Sequence, residues 1–448
     1  MHLLSLTAQR RPPSYLSLLF LLTSAPTVLY AQFTLSGEIR PRTEYRHGFK
    51  APAPSPGAYA LFTEQRTRLK LNYQQEKIGV GLTLQDVRIW GATAQINKTD
   101  GLTSMHEAWG SLRFSNRWRL KVGRQELVYN DQRLLGSLNW AAQGRSHDAV
   151  RLTYQDSTGA FHAGVAMNQS SEVPEPVKLT STFYQAPGGF AALGGGLPNY
   201  KHLQFVWLKK NRGKWTATAL LMNTGWQMPD TTVNYLFTGG GNLRYQVSRR
   251  TQLKGTGYYQ YGKSRIDERV GAYLASFAVE HRWTNKQLTL GGDVLSGTEP
   301  GQEQSSTFDP LFGTHHKFYG LMDYFYVGNP HSQQDKSVGL IDLFVKPTFT
   351  LAPRASLMVQ GHTFFSAVKV LDIENPTGTL PSHLGTEIDL VATYRYVKGV
   401  TLKGGYSQML ATPTLQQLKG SGSRLVNHWG WIMLSFTPTF LQTTSTSN

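Results

Sequence analysis

Polar and apolar residues alternate with a period of two along most of this chain, which is the signature of strands with two unlike faces. In 33–46, Phe33, Leu35, Gly37 and Ile39 share one face, while Thr34, Ser36, Glu38, Arg40, Arg42, Glu44 and Arg46 share the other. In 61–74, Leu61, Leu69, Leu71 and Tyr73 oppose Glu64, Arg66, Arg68, Lys70 and Asn72. Ile78, Val80, Leu82 and Leu84 continue the pattern, and a slip near Gln85-Asp86 predicts a bulge there. Similar runs sit near 104–114, 118–127, 148–155, 161–168, 200–210, 215–225, 240–247, 251–261, 270–282, 286–296, 338–350, 354–366, 384–397, 400–409 and 428–440. The total is about eighteen strands, most near the ~9–11 residues that a tilted membrane strand needs.

The connections follow a rhythm. Short turns are expected at 75–76, 115–116, 156–159, 211–214, 283–286, 351–354 and 398–399. Long loops are expected at 47–60, 91–103, 128–147, 169–199, 297–337, 367–383 and 410–427. Short turns at one end and long loops at the other are the layout of an outer-membrane barrel. The fold class expected is therefore all-β: a single transmembrane antiparallel barrel. No 20–50-residue repeat suggests a solenoid or propeller.

The first 31 residues read as an export signal. Arg10 and Arg11 form a positive start, and Tyr15–Leu22 is an apolar run too short to span a bilayer. Leu29-Tyr30-Ala31 supplies a cleavage site, so the barrel is expected over 32–441, followed by a polar tail, 442–448. No later segment reads as a membrane helix, which leaves a closed barrel as the architecture able to satisfy its backbone in lipid. The last strand places Trp429, Trp431 and Met433 on one face and ends on Phe440, resembling the terminal assembly signal of such barrels.

Composition narrows the chemistry. The 448 residues include no cysteine, which excludes disulfides, thiolate metal sites and a cysteine nucleophile. The 45 Lys and Arg against 28 Asp and Glu give +17, or 43 − 28 = +15 without the two leader arginines. Charge on a lipid-facing wall costs roughly 2–4 kcal/mol at mid-membrane. Arg40, Arg42, Arg66, Arg68, Arg88, Arg113, Arg151 and Arg244 are therefore expected to face inward, joined by Glu38, Asp86, Glu107, Asp293, Glu387 and Asp389. An arginine excess there favours anions, because the guanidinium fork matches carboxylates. The same arginines could instead pair with the inward acids and brace the wall.

Three segments carry a family resemblance. Val122–Leu127 (VGRQEL) precedes Asn130–Gly136 (NDQRLLG), and Trp140 with Gln143–Ala149 (QGRSHDA) follows. Later, Phe308–Phe318 (FDPLFGTHHKF) precedes Gly320–Tyr324 (GLMDY). With the barrel pattern, these resemble the alginate export family of outer-membrane proteins over essentially the whole mature chain. The resemblance implies an eighteen-stranded barrel whose electropositive pore passes an anionic polyuronate. Arg124 is expected to share a face with Glu126, and Arg124, Arg133, Arg145 and Arg151 are expected to form the narrowest part, with the third loop folding inward.

Other motifs carry less. Ser146-His147-Asp148 cannot form a local relay, because extended neighbours point to opposite sides. His315, His316 and Asp323 are expected to order the seventh loop, with Asp309 as a calcium candidate, although no metal-ligand spacing is present. Gly194–Gly196 and Gly239–Gly241 precede no helix and make no phosphate cradle. Positive charge spread along strand faces does not suit nucleic acid. The expectation is a non-enzymatic channel in the outer membrane of a Gram-negative bacterium, without cofactor or metal. Its expected partners are membrane lipid, an anionic saccharide or small anions, and a periplasmic protein. Three alternatives remain: a barrel-embedded hydrolase using His362 with Glu387 or Asp389, a structural or adhesive barrel, and a soluble secreted β-protein.

Overall fold

A computed structural model describes residues 31–96, 101–168, 199–228, 232–326, 331–375, 377–420 and 426–443. The expected leader, except Ala31, lies outside these residues, as do Gly194–Gly196 and residues 444–448 of the expected tail. The chain forms a closed antiparallel barrel of eighteen strands. They are β1 (Gln32–His47), β2 (Ala60–Gln74), β3 (Ile78–Ile89), β4 (Thr103–Arg113), β5 (Trp118–Gln125) and β6 (His147–Gln155). Then come β7 (Gly159–Met167), β8 (His202–Arg212), β9 (Trp215–Gln227), β10 (Val233–Gln246), β11 (Thr251–Lys263) and β12 (Arg269–Arg282). The last six are β13 (Lys286–Leu295), β14 (Leu340–Ala352), β15 (Ala355–Phe365), β16 (His383–Val397), β17 (Val400–Ala411) and β18 (Asn427–Phe436). Among the described residues no helix is long and apolar enough to cross a membrane.

Each strand pairs with its sequence neighbours, and β1 closes the barrel on β18. β18 stops at Phe436 and resumes at Thr439–Gln442, still against β1. The break falls at Pro438, which has no N–H for the ladder; its carbonyl accepts from Gly37 N at 3.0 Å. Pairing thus continues through Gln442, the first residue of the expected tail.

Two features differ from the sequence reading. The slip expected at Gln85-Asp86 lies on the partner strand. Thr83 pairs with Glu107 and Leu84 with Met105, so His106 is the extra residue and β3 keeps its phase. The loop rhythm also fails twice, because connections 228–232 and 264–268 at the long-loop end are five residues each. The first half of β10 escaped the periodicity because Gly239–Gly241 interrupts it. These glycines lie within the strand, where the walls approach closely: a Cβ on Gly241 would sit 1.9 Å from the Thr218 carbonyl oxygen.

The interior is packed at the long-loop end. The third loop, 126–146, and the seventh, 296–339, turn inward and meet in a parallel bridge between Leu135 and Phe312. Leu127, Tyr129, Leu134, Phe308, Tyr319 and Met322 from these loops are buried against inward wall residues such as Phe205, Trp207 and Leu274. A short helix, α1 (Pro413–Lys419), lies in the last loop, capped by Thr412 and closed by Gly420 at φ 69°.

Gly123 tests the register of the shortest wall. It sits at φ 115°, and a Cβ there would lie 2.3 Å from the Ala108 carbonyl oxygen. Gly123→Ala should destabilise the refolded barrel by about 1–3 kcal/mol, read as an earlier urea midpoint in tryptophan emission.

Candidate functional site

Directly paired residues share a face of the sheet. Register and burial together place Glu38, Arg40, Arg42 and Glu44 of β1 on the inner wall beside Arg66 and Arg68 of β2. These charges are largely matched. Arg66 grips Glu38 Oε1 through Nε at 3.0 Å and a terminal nitrogen at 2.5 Å. Arg42 bridges Glu44 and Glu64, both at 2.8 Å.

Their remaining donors hold the third loop. Arg40 donates to the carbonyls of Asn139 (2.8 Å) and Trp140 (3.3 Å), and Arg42 donates to that of Trp140 at 2.6 Å while lying 4.1 Å over its ring. Arg66 reaches Asn139 Oδ1 at 2.8 Å, and Gln85 donates to the Gln143 carbonyl at 2.9 Å. Loop carbonyls inside a barrel need donors, and guanidinium supplies five in a rigid fork. Arg68 is oriented by Gln85 at 2.7 Å.

The loop crosses to the far wall. Arg133 bonds Asp293 of β13 at 2.8 Å, Asp131 at 3.0 Å and the Tyr319 hydroxyl at 2.9 Å, and lies 4.0 Å over Phe318. Burial opposes its charge, but Asp293 and its neighbours outweigh that and hold Arg133 above the ordinary guanidinium value. Arg145 donates to the Gly313 carbonyl at 2.9 Å, and burial pulls it down to about 10. Both residues therefore join the two loops rather than line open space.

Several expected positions change. Arg124 faces outward. It pairs with Asp148 across β5–β6 at 3.2 Å, with the two side chains 46% and 57% exposed. The strand parity decides this, because Gln125 beside it is fully buried inside. Glu126 lies past the strand end and turns to His106 at 2.9 Å, so it does not share a face with Arg124. Arg88 and Asp86 also stand outside, paired with each other at 2.6 Å, because β3 never slips. A neutral ion pair near the strand end avoids much of the cost that seemed to force these charges inward.

Asp293, Glu387 and Asp389 face inward but are covered, each at most 1% exposed. Glu387 accepts from Met322 N of the seventh loop at 2.8 Å. Glu107 accepts from Glu126 N at 3.2 Å. His362 is buried with Asp342 at 2.9 Å, so the hydrolase candidates do not meet the open lumen. His316 bonds Asp323 at 2.8 Å and stacks on Trp140 at 4.3 Å, while Asp309 takes Arg265. Among the described residues no three His, Asp or Glu side chains are placed to hold a metal.

Among the inward cations without an ion pair in the described residues, four form a basic patch on β4–β6. Arg113 pairs in register with Arg119, and Lys121 with Arg151, all on the inner face. None forms an ion pair among the described residues; Lys121 instead lies 3.7 Å over Trp109. Arg119 and Lys121 were missed from the sequence, although the alternation of Trp118, Leu120 and Val122 with Arg119, Lys121 and Gly123 was there to show them.

Residues 31–425 match the alginate export family. The chain belongs to that family. No curated protein matches it. Among solved structures, OccAB4 of Acinetobacter baumannii is similar at a TM-score of 0.62 and 12% identity, covering 92% of this chain and 98% of its own. The outer membrane protein OpdK of Pseudomonas aeruginosa is similar at 0.58 and 11%, covering 92% and 99%. OccK2 (OpdF) of the same organism, solved in complex with glucuronate, is similar at 0.60 and 13%, covering 91% and 98%. This member of the alginate export family is an outer-membrane barrel of the channel-forming type, with short turns periplasmic and long loops extracellular.

Two outcomes follow for the loop junction. Arg133→Met strands Asp293 as an uncompensated buried charge and should cost about 3–5 kcal/mol in urea unfolding, with Asp293→Asn restoring part of the loss. His315 sits between the carbonyls of Tyr326 (2.7 Å) and Pro310 (3.2 Å), and burial, helped by Arg145, pulls it down to about 4. Unfolded histidine binds a proton near pH ~6.5, so the junction should be firm above that pH and lose stability as pH falls from there toward 4. Hydrogen exchange over 310–318, corrected for intrinsic rates, would show this as faster opening.

Proposed function

We propose that this barrel passes anionic saccharides of the polyuronate type, or smaller anions, along the free basic patch of β4–β6. The carrying observation is the adjacency of Arg113, Arg119, Lys121 and Arg151 on the inner wall without ion-pair partners among the described residues. Like charges side by side repel, so a passing carboxylate relieves a cost that the empty wall bears. Guanidinium groups dock carboxylates in a bidentate manner. The ring of Trp109 beside Lys121 adds an apolar surface of the kind a sugar face can lie on. Glucuronate bound to OccK2, a barrel of the same fold, is a ligand of the chemistry this patch would take.

In this reading Arg40, Arg42, Arg66 and Arg133 set the shape of the passage by fixing the two inward loops. The patch sets its preference. A strip of fixed positive charge raises the local concentration of anions and lowers that of cations.

Planar-bilayer recordings under a KCl gradient test the division. The unmodified protein should be anion-selective and blocked by oligouronate. Lys121→Gln with Arg151→Gln should lower the anion-to-cation permeability ratio roughly tenfold and weaken the block. Arg124→Gln, on the outer wall, should leave selectivity unchanged. Retained selectivity in the double variant would sink the assignment to this patch.

A further inference from the structure

The outer wall is not uniform. On β11–β12 the outward positions run uncharged from the Thr251–His281 pair to the Tyr261–Gly271 pair, through Leu253, Phe277, Tyr259 and Tyr273. That is ten residue-to-residue steps, about 33 Å along the strand at ~3.3 Å each. At a tilt near 40° it gives roughly 25 Å of height, the full apolar band of an outer-membrane barrel.

A second sector falls short. β5, β6 and β7 have eight, nine and nine residues. The outward column on β5 is Trp118, Leu120 and Val122, and then Arg124; on β6 it is Tyr154, Leu152 and Val150, and then Asp148. From Trp118 to Val122 is about 13 Å along the strand, or roughly 10 Å of height, less than half the ~25 Å band. Charged side chains half exposed on the outer face therefore stand where hydrocarbon would lie. Val122, Val150 and Val165 around them are each more than 40% exposed.

We propose that the outer face of β5–β7 is an interface between copies of this chain. A wall too low for the bilayer is relieved by association, since each copy screens the other's mismatch. The charges fit a second copy better than a phosphate-bearing lipid. Arg124 and Asp148 sum to zero and offer an anion no net attraction, whereas one copy's arginine and another's aspartate are mutually complementary. The aromatic foot of the sector, Trp118 with Tyr154 at 5.0 Å, marks the lower membrane boundary from which the shortfall is measured.

The absence of cysteine in the chain makes the test direct. Val150→Cys and Val165→Cys should each cross-link with a short bismaleimide in native outer membranes, giving a band near a multiple of the monomer's mass. Phe277→Cys, outward on β12, should stay monomeric under the same treatment. The mass of the unmodified protein in mild detergent should be that of an oligomer, and Arg124→Ala should shift it toward monomer. Two cysteine positions on β5–β7 that cross-link no more than Phe277→Cys, with a monomeric mass in detergent, would overturn the proposal. A monomer that retains phosphate-bearing lipid and releases it on Arg124→Ala would overturn it in favour of lipid. Neither result depends on what the channel conducts.

Discussion

The structure depends on donors for carbonyls that have none of their own. A loop of irregular backbone inside a barrel is cut off from most solvent and from the strand ladder. The third loop solves this with guanidinium groups on β1 and β2, which bond the carbonyls of Asn139 and Trp140. Without them, the loop would carry its own desolvation cost and swing free. With them, it spans the lumen to Arg133 and Asp293, and the seventh loop can pack against it.

This requirement sorts the cations. An arginine already bonded to a carboxylate and a carbonyl has few donors left for a solute, as Arg42 and Arg66 show. The acids follow the same logic: Glu38 and Glu44 hold the fork in place, and Asp293 receives it on the far side. Net positive charge is thus a poor guide to where an anion binds. The architecture leaves some inward cations without ion pairs among the described residues, and four of them cluster on β4–β6.

The barrel was legible because a two-residue period survives in nearly every strand, and lipid outside with polar groups inside enforces it. Its limits were local. A bulge displaces one strand against its neighbour, and a single sequence does not reveal which strand holds the extra residue; hence the periodicity turns Arg88 and Asp86 inward, whereas β3 keeps them outside. Taken in isolation the charge of Arg124 reads as inward, because its cross-strand partner Asp148 sits twenty-four residues away in sequence. The two inward loops could be anticipated from length and motif. Their bonds to each other, such as Arg145 to Gly313, join positions too far apart in sequence for any local pattern to show.

The seam between the first and last strands has a temporal meaning. Thr34 pairs with Gln442, so the ring cannot close until almost all the described chain is present. Contacts this distant are slow to form. Until then, the apolar outer faces and the edges of β1 and β18 both lack their partners. Assembly therefore needs an environment that shields an open, curling sheet for as long as its two ends remain apart.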